Sequence, residues 1–153
     1  MHLLFIKDMH KYIILLHVLA ATVWVGGHLV LAIGILPSVV KYGNIDLLNA
    51  FEAKYEKVGI PALIILVVTG LYMAIDYLPM SEWFDFSNNL SKHISIKLIL
   101  LGMTVALALH ARLKLIPNLS VNNLIMLAVH IIAITTVAVM FVVTGLSFRL
   151  GFL

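Results

Sequence analysis

The chain lacks cysteine altogether and contains few charged residues. Without thiolates, disulfide scaffolds, thiolate metal sites, iron–sulfur clusters and cysteine nucleophiles are excluded. Asp, Glu, Lys and Arg make up only 11% of its 153 residues, whereas a soluble domain has about 25%. The ten Lys and Arg residues are scattered rather than clustered, which argues against nucleic acid as a partner. No Ser-His-Asp, paired-carboxylate, phosphate-loop or dinucleotide motif is present. The sequence alone therefore does not decide whether the protein is an enzyme, for example an oxidoreductase.

Apolar residues dominate what remains. They account for 63% of the chain, and the mean hydropathy over its whole length is +1.12. A soluble domain of this size exposes much of its surface and could not hide so many apolar side chains. The composition therefore indicates an integral membrane protein, with the lipid bilayer as its surroundings.

Four apolar runs are long enough to cross a hydrocarbon core of ~30 Å. They predict helices over about 12–36, 58–78, 94–116 and 122–148. Proline follows the first three runs, where it typically marks the end of a helix; these residues are Pro37, Pro79 and Pro117. We therefore predict an all-α fold with a single transmembrane domain over 1–153, an antiparallel (up-down-up-down) four-helix bundle. Lys and Arg divide almost evenly between the two membrane sides, which leaves the orientation open.

Four of the seven histidines lie inside these apolar runs. Ionisable residues within a membrane usually face the bundle interior and mark functional sites. His17 and His28 are eleven residues apart, which places them within about 20° of one helix face and about 16 Å apart along the axis, with Trp24 between them. Counting along helices of alternating direction places His28, His110 and His130 at one depth. His17 lies nearer the membrane side that holds the N-terminus.

Three interpretations of these histidines remain open. The first is a b-type haem held by His28 together with His110 or His130, serving electron transfer or oxidation linked to a quinone or a membrane redox partner. The second is a single copper or zinc ion bound by all three imidazoles, with Met103 and Met126 on the same helix faces as His110 and His130, where thioether ligands would favour copper. The third is a structural or assembly subunit in which the histidines only form hydrogen bonds. Whether the bundle forms a homodimer also stays open.

Three strings resemble the copper resistance protein D family. They are HVLAATVWVGGHLVLAIGILP (His17–Pro37), LVVTGLYMA (Leu66–Ala74) and KLILLGMTVALALHARLKLIP (Lys97–Pro117). The resemblance covers nearly the whole chain and supports His17, Lys97 and Arg112 as family positions. It implies a role in copper passage across the inner (cytoplasmic) membrane of a bacterial or archaeal cell.

The chain is also similar to the four-helix membrane protoporphyrinogen oxidases of the HemJ type. The matching positions are His17, Trp24 and Gly27 on the first helix, and Lys97 and His110 on the third. This similarity implies haem b as a cofactor. Together these considerations make six residues candidates for binding a cofactor, of which His28, His110 and His130 are also candidate metal ligands; the other three are His17, Trp24 and Lys97.

Overall fold

The computed structural model describes the backbone of residues 2–151, and the side chains of these residues except 2–8, 121, 148 and 149. Five α-helices follow one another along the chain: α1 (His2–Leu29), α2 (Leu36–Tyr42), α3 (Ile45–Tyr77), α4 (Asn89–His110) and α5 (Leu124–Leu150). Two π-helical segments extend them, Val30–Ile35 between α1 and α2, and Ala111–Leu115 after α4. Short 3-10 turns lie in the connections at Met80–Glu82 and Val121–Asn123.

Four helical segments are long and apolar enough to cross a membrane, which confirms the predicted all-α membrane fold. Their ranges are Met9–Tyr42, Ile45–Tyr77, Asn89–Leu115 and Leu124–Ser147. We call the membrane side that holds the start of α1 and the end of α3 side A, and the opposite side side B. The chain is therefore a four-span membrane protein.

The first two helices differ most from the bounds expected from sequence. The first does not end at Pro37 but continues to Tyr42, because Pro37 lies in the first turn of α2, where its missing N–H is not needed. Gly43 then adopts a left-handed conformation with φ 66°, and the side chain of Asn44 caps α3 by accepting the Leu47 N–H at 3.1 Å. The second helix consequently begins at Ile45 rather than near residue 58.

The helices pack in the order α3–α1–α5–α4. Helix α1 lies between α3 and α5, and α5 lies between α1 and α4. In the part of the chain that the structure describes, α3 and α4 do not pack extensively against each other. Consequently α4 is an edge helix, and its main support within the chain is α5.

Three apolar clusters hold the bundle together at successive depths. The largest, toward side B, joins all four spans and includes Leu31, Leu48, Leu115 and Leu127. A central cluster surrounds Trp24, and a side-A cluster surrounds Leu78. The connection from α3 to α4 is tied down at side A, since the hydroxyls of Ser91 and Ser95 donate to the carbonyls of Glu82 and Trp83.

Glycines open a slot for one aromatic ring between α1 and α3. A Cβ added at Gly27 would lie 2.0 Å from the Tyr55 ring, and one at Gly59 would lie 2.9 Å from it. The Tyr55 hydroxyl donates to the Trp24 carbonyl at 3.0 Å, which fixes the ring in this slot. Small residues thus let α1 and α3 approach closely around Tyr55, as is usual in membrane helix pairs.

The Tyr55 slot predicts opposite results for two neighbouring glycines. Gly27→Ala should destabilise the bundle by about 1–3 kcal/mol, because the new methyl group overlaps the tyrosine ring. Gly26→Ala should be nearly neutral, since a Cβ there meets no atom within 4 Å. Thermal unfolding in detergent, followed by circular dichroism, measures the difference. Equal melting temperatures for the two variants would show that the Tyr55 ring does not fill the space beside Gly27.

Candidate functional site

Three histidines of α1, His10, His17 and His28, form a line along the interface with α3. At side A, His10 Nε2 lies 2.8 Å from the Tyr77 hydroxyl, and its Nδ1 lies 3.3 Å from a carboxylate oxygen of Asp76. His17 comes two turns deeper and His28 three turns beyond that, and both also contact α3. The predicted shared face of His17 and His28 is therefore directed toward the second span.

His17 rests against the threonine–glycine pair of α3. Its Nδ1 lies 2.7 Å from Thr69 Oγ1. The threonine hydroxyl donates its own hydrogen to the Ile65 carbonyl at 2.5 Å, so Thr69 accepts from His17 and the imidazole proton is on Nδ1. The place of a Cβ on Gly70 lies 3.4 Å from His17 Cε1, so glycine lets the ring lie close to α3. The Nε2 atom of His17 is thereby left as the unprotonated nitrogen.

His28 is buried between Trp24 and Tyr55, with only 6% of its surface exposed. Its ring lies 4.4 Å from the Trp24 ring and 5.7 Å from the Tyr55 ring, measured between centroids. His28 Nδ1 donates to the Trp24 carbonyl at 2.8 Å, which again leaves Nε2 unprotonated. The Thr135 hydroxyl of α5 donates to the Ile131 carbonyl at 2.7 Å and also lies 3.3 Å from the His28 carbonyl, so α5 packs closely on α1 at this level.

His110 and His130 form a second group, between α4 and α5. Their ring centroids are 5.2 Å apart. His130 is 9% exposed, and its Nε2 donates to the Leu107 carbonyl at 2.7 Å, so its Nδ1 is the unprotonated nitrogen. His110 is exposed. The two imidazoles thus lie side by side near side B.

Three membrane histidines therefore share one arrangement. His17, His28 and His130 each donate one ring N–H to an oxygen of the protein and keep the other nitrogen as a base. In the described part of the chain, no fully enclosed side-chain nitrogen or oxygen lacks a hydrogen-bond partner. The free nitrogens consequently open onto accessible space. Histidines that bind metals are held in the same way, with the second N–H on a carbonyl or another acceptor.

Two further candidates from the sequence lie around this framework. Trp24 is 7% exposed and packs directly on His28. Lys97 is half-buried on α4. Arg112, the other basic family position, pairs with Glu56 of α3 at 2.7 Å and bridges α3 to the end of α4 at side B.

Of the three histidines predicted to lie together, His28, His110 and His130, the structure brings only the last two into contact. His110 and His130 are in contact, whereas the ring contacts of His28 are with aromatic residues of α1 and α3. Among the described residues, no three His, Asp or Glu side chains converge closely enough to hold one metal ion. The two methionines considered as additional ligands are largely exposed, Met103 to 48% and Met126 to 54%.

Sequence reasoning missed the two α3 residues that position the α1 histidines. Tyr55 lies in a stretch with many charged residues, before the apolar run that predicts the second helix. Thr69 lies in the string Leu66–Ala74, where the family resemblance assigns it no role of its own. The spacing of Tyr55 and Gly59, one helical turn apart, is the signal from which a ring slot could have been suspected.

Comparisons with known proteins identify a family. A family model described as copper resistance protein D matches residues 49–150, about two thirds of the chain. The match includes Thr69, Lys97, His110 and His130, and leaves His17 and His28 outside it. No curated protein and no solved structure matches the chain.

The hydrogen bond to Thr69 predicts a single tautomer of His17. In the wild type, ¹⁵N NMR of histidine-labelled protein should show His17 with its proton on Nδ1. Thr69→Val keeps the shape but removes the acceptor, so the two tautomers should become mixed. Thr136→Val is the matched control, because Thr136 is exposed and its hydroxyl bonds only within its own helix. An unchanged His17 spectrum in Thr69→Val would show that Thr69 does not fix the ring.

Proposed function

Since the chain belongs to the copper resistance protein D family, we propose that it binds copper ions inside the membrane through its histidines and passes them through the bundle. The copper ion is the substrate in this proposal, not a resident cofactor. The observation that carries it is the shared arrangement of His17, His28 and His130, each anchored through one nitrogen and basic at the other.

The donor set suits copper. Neutral imidazole is a good ligand for copper ions, and a nitrogen held unprotonated needs no proton release before it binds metal. The chain offers no thiolate, and the methionine thioethers nearest the imidazole pair are on the outer surface. Histidine is therefore the ligand type that the protein presents within the bilayer.

The histidines lie at two depths, which suits movement of an ion better than permanent storage. His17 and His28 are about 16 Å apart along α1, and the His110–His130 pair lies in the side-B half. An ion that crosses a membrane needs successive sites that bind it but also release it.

A haem b held by the same histidines is the competing candidate, with membrane electron transfer as its function. Two observations favour a small ion instead. The haem candidate requires His28 to face His110 or His130 across the macrocycle, whereas the ring contacts of His28 are with Trp24 and Tyr55. In addition, the slot beside Gly27 that a flat macrocycle would need is filled by Tyr55.

The proposal predicts that purified protein in nanodiscs binds Cu(I) in competition with a chromophoric chelator. His130→Ala and His17→Ala should each weaken binding at one site about tenfold or more, equivalent to at least about 1.4 kcal/mol. His10→Gln is the matched control, since both of its ring nitrogens already have partners and its loss should leave the affinity unchanged.

The same preparation distinguishes the competing candidate. A dithionite-reduced minus air-oxidised spectrum should show no haem b bands, even after expression with added haem. A haem b spectrum that disappears in His110→Ala would replace the copper proposal with the electron-transfer one. Unchanged copper affinity in both alanine variants would leave the histidines with a purely structural role.

A further inference from the structure

Helix α4 presents an exposed ridge of two small residues and a histidine. Gly102, Ala106 and His110 follow one another at four-residue intervals, and all three are exposed. A Cβ added at Gly102 meets no atom within 4 Å, so none of the residues that the structure describes packs on it. We refer to these three residues as the α4 ridge. Small residues four apart are typical of surfaces at which two membrane helices associate.

The histidine at the end of the α4 ridge belongs to an incomplete ion site. His110 is exposed and touches His130, which is nine-tenths buried and keeps Nδ1 unprotonated. Within the described residues, no third His, Asp or Glu joins this pair. An imidazole on the outer surface of a membrane helix is also costly unless something polar meets it. Both features point to ligands that come from outside the chain.

We infer that a second copy of this chain docks on the α4 ridge and that the two copies together complete a copper site of four imidazoles. The inference rests on the proposed function, because it names the partner that completes the same site. The site would consist of His110 and His130 from each copy, at the interface between the two α4 helices.

The membrane itself favours this arrangement. Two copies inserted in the same direction are related by a two-fold axis along the membrane normal, so each residue faces its counterpart at the same depth. Contact along an i, i+4 ridge brings two helix backbones close together at Gly102 and Ala106. His110 lies one helical turn after Ala106 and two turns after Gly102, so the His110 side chains of the two copies then meet near the two-fold axis. The edge position of α4 leaves this face free for the second copy.

Cysteine crosslinking tests the interface directly, because the chain has no cysteine of its own. Ala106→Cys in native membranes should form a disulfide-linked dimer on oxidation with iodine, which avoids added copper. Ile64→Cys on α3 is the matched control: Ile64 is likewise exposed, at 58%, and should stay monomeric. Equal crosslinking at both positions, or none at Ala106→Cys, overturns the inference.

Copper stoichiometry tests the shared site. The copper lost on changing His130→Ala should amount to one ion per two chains. Gly102→Leu should convert the dimer to a monomer and weaken this site at least about tenfold, whereas Gly34→Leu, at another exposed glycine with open space, should not. A loss of one ion per chain, with the protein monomeric, overturns the shared site but leaves copper binding intact. A dimer with no copper at this level overturns both the shared site and copper binding there.

Discussion

Water is absent from the hydrocarbon core, and this constraint explains how His17, His28 and His130 are held. An imidazole N–H without an acceptor costs several kcal/mol there, so each ring must find an oxygen within the protein. His17 uses a threonine hydroxyl, and His28 and His130 use backbone carbonyls. An acceptor of this kind selects one tautomer. The hydrogen bond that the fold requires at one ring nitrogen therefore leaves the other nitrogen unprotonated, as a metal ligand must be.

The same requirement explains why glycine and threonine accompany the histidines on α3. An imidazole reaches a partner on the next helix only if that helix approaches closely, and Gly70 provides the space beside His17. The Thr69 hydroxyl can be buried at this interface because it donates to the Ile65 carbonyl. Its oxygen is then free to accept the hydrogen bond from His17. Close packing of α1 on α3 and the hydrogen bond between His17 and Thr69 thus depend on each other, and a change in either alters the other.

The sequence predicts well how deep each histidine lies in the membrane, and poorly how each helix is rotated about its own axis. Apolar runs and the 1.5 Å rise per residue are sufficient to find four spans and to place each histidine along its helix. The shared face of His17 and His28 follows from their spacing on one helix. How separate helices are turned toward each other depends on packing, so the sequence shows neither that His130 bonds the Leu107 carbonyl nor that His28 turns to Tyr55. The predicted trio rested on depth alone, and only His110 and His130 are in contact.

The two π-helical segments separate the turns that carry His28 and His110 from the helix ends that carry proline. Each follows closely on a side-B histidine, Val30–Ile35 after His28 and Ala111–Leu115 after His110, and each is followed by a proline. A proline ring clashes with the carbonyl four residues earlier in a regular α-helix. The wider π turn, in which the Leu36 N–H donates to the Leu31 carbonyl and the Ile116 N–H to the Ala111 carbonyl, accommodates the ring without bending the turns that hold the histidines. His28 and His110 therefore stay on regular helix, and the irregular geometry is confined to the segments beyond them.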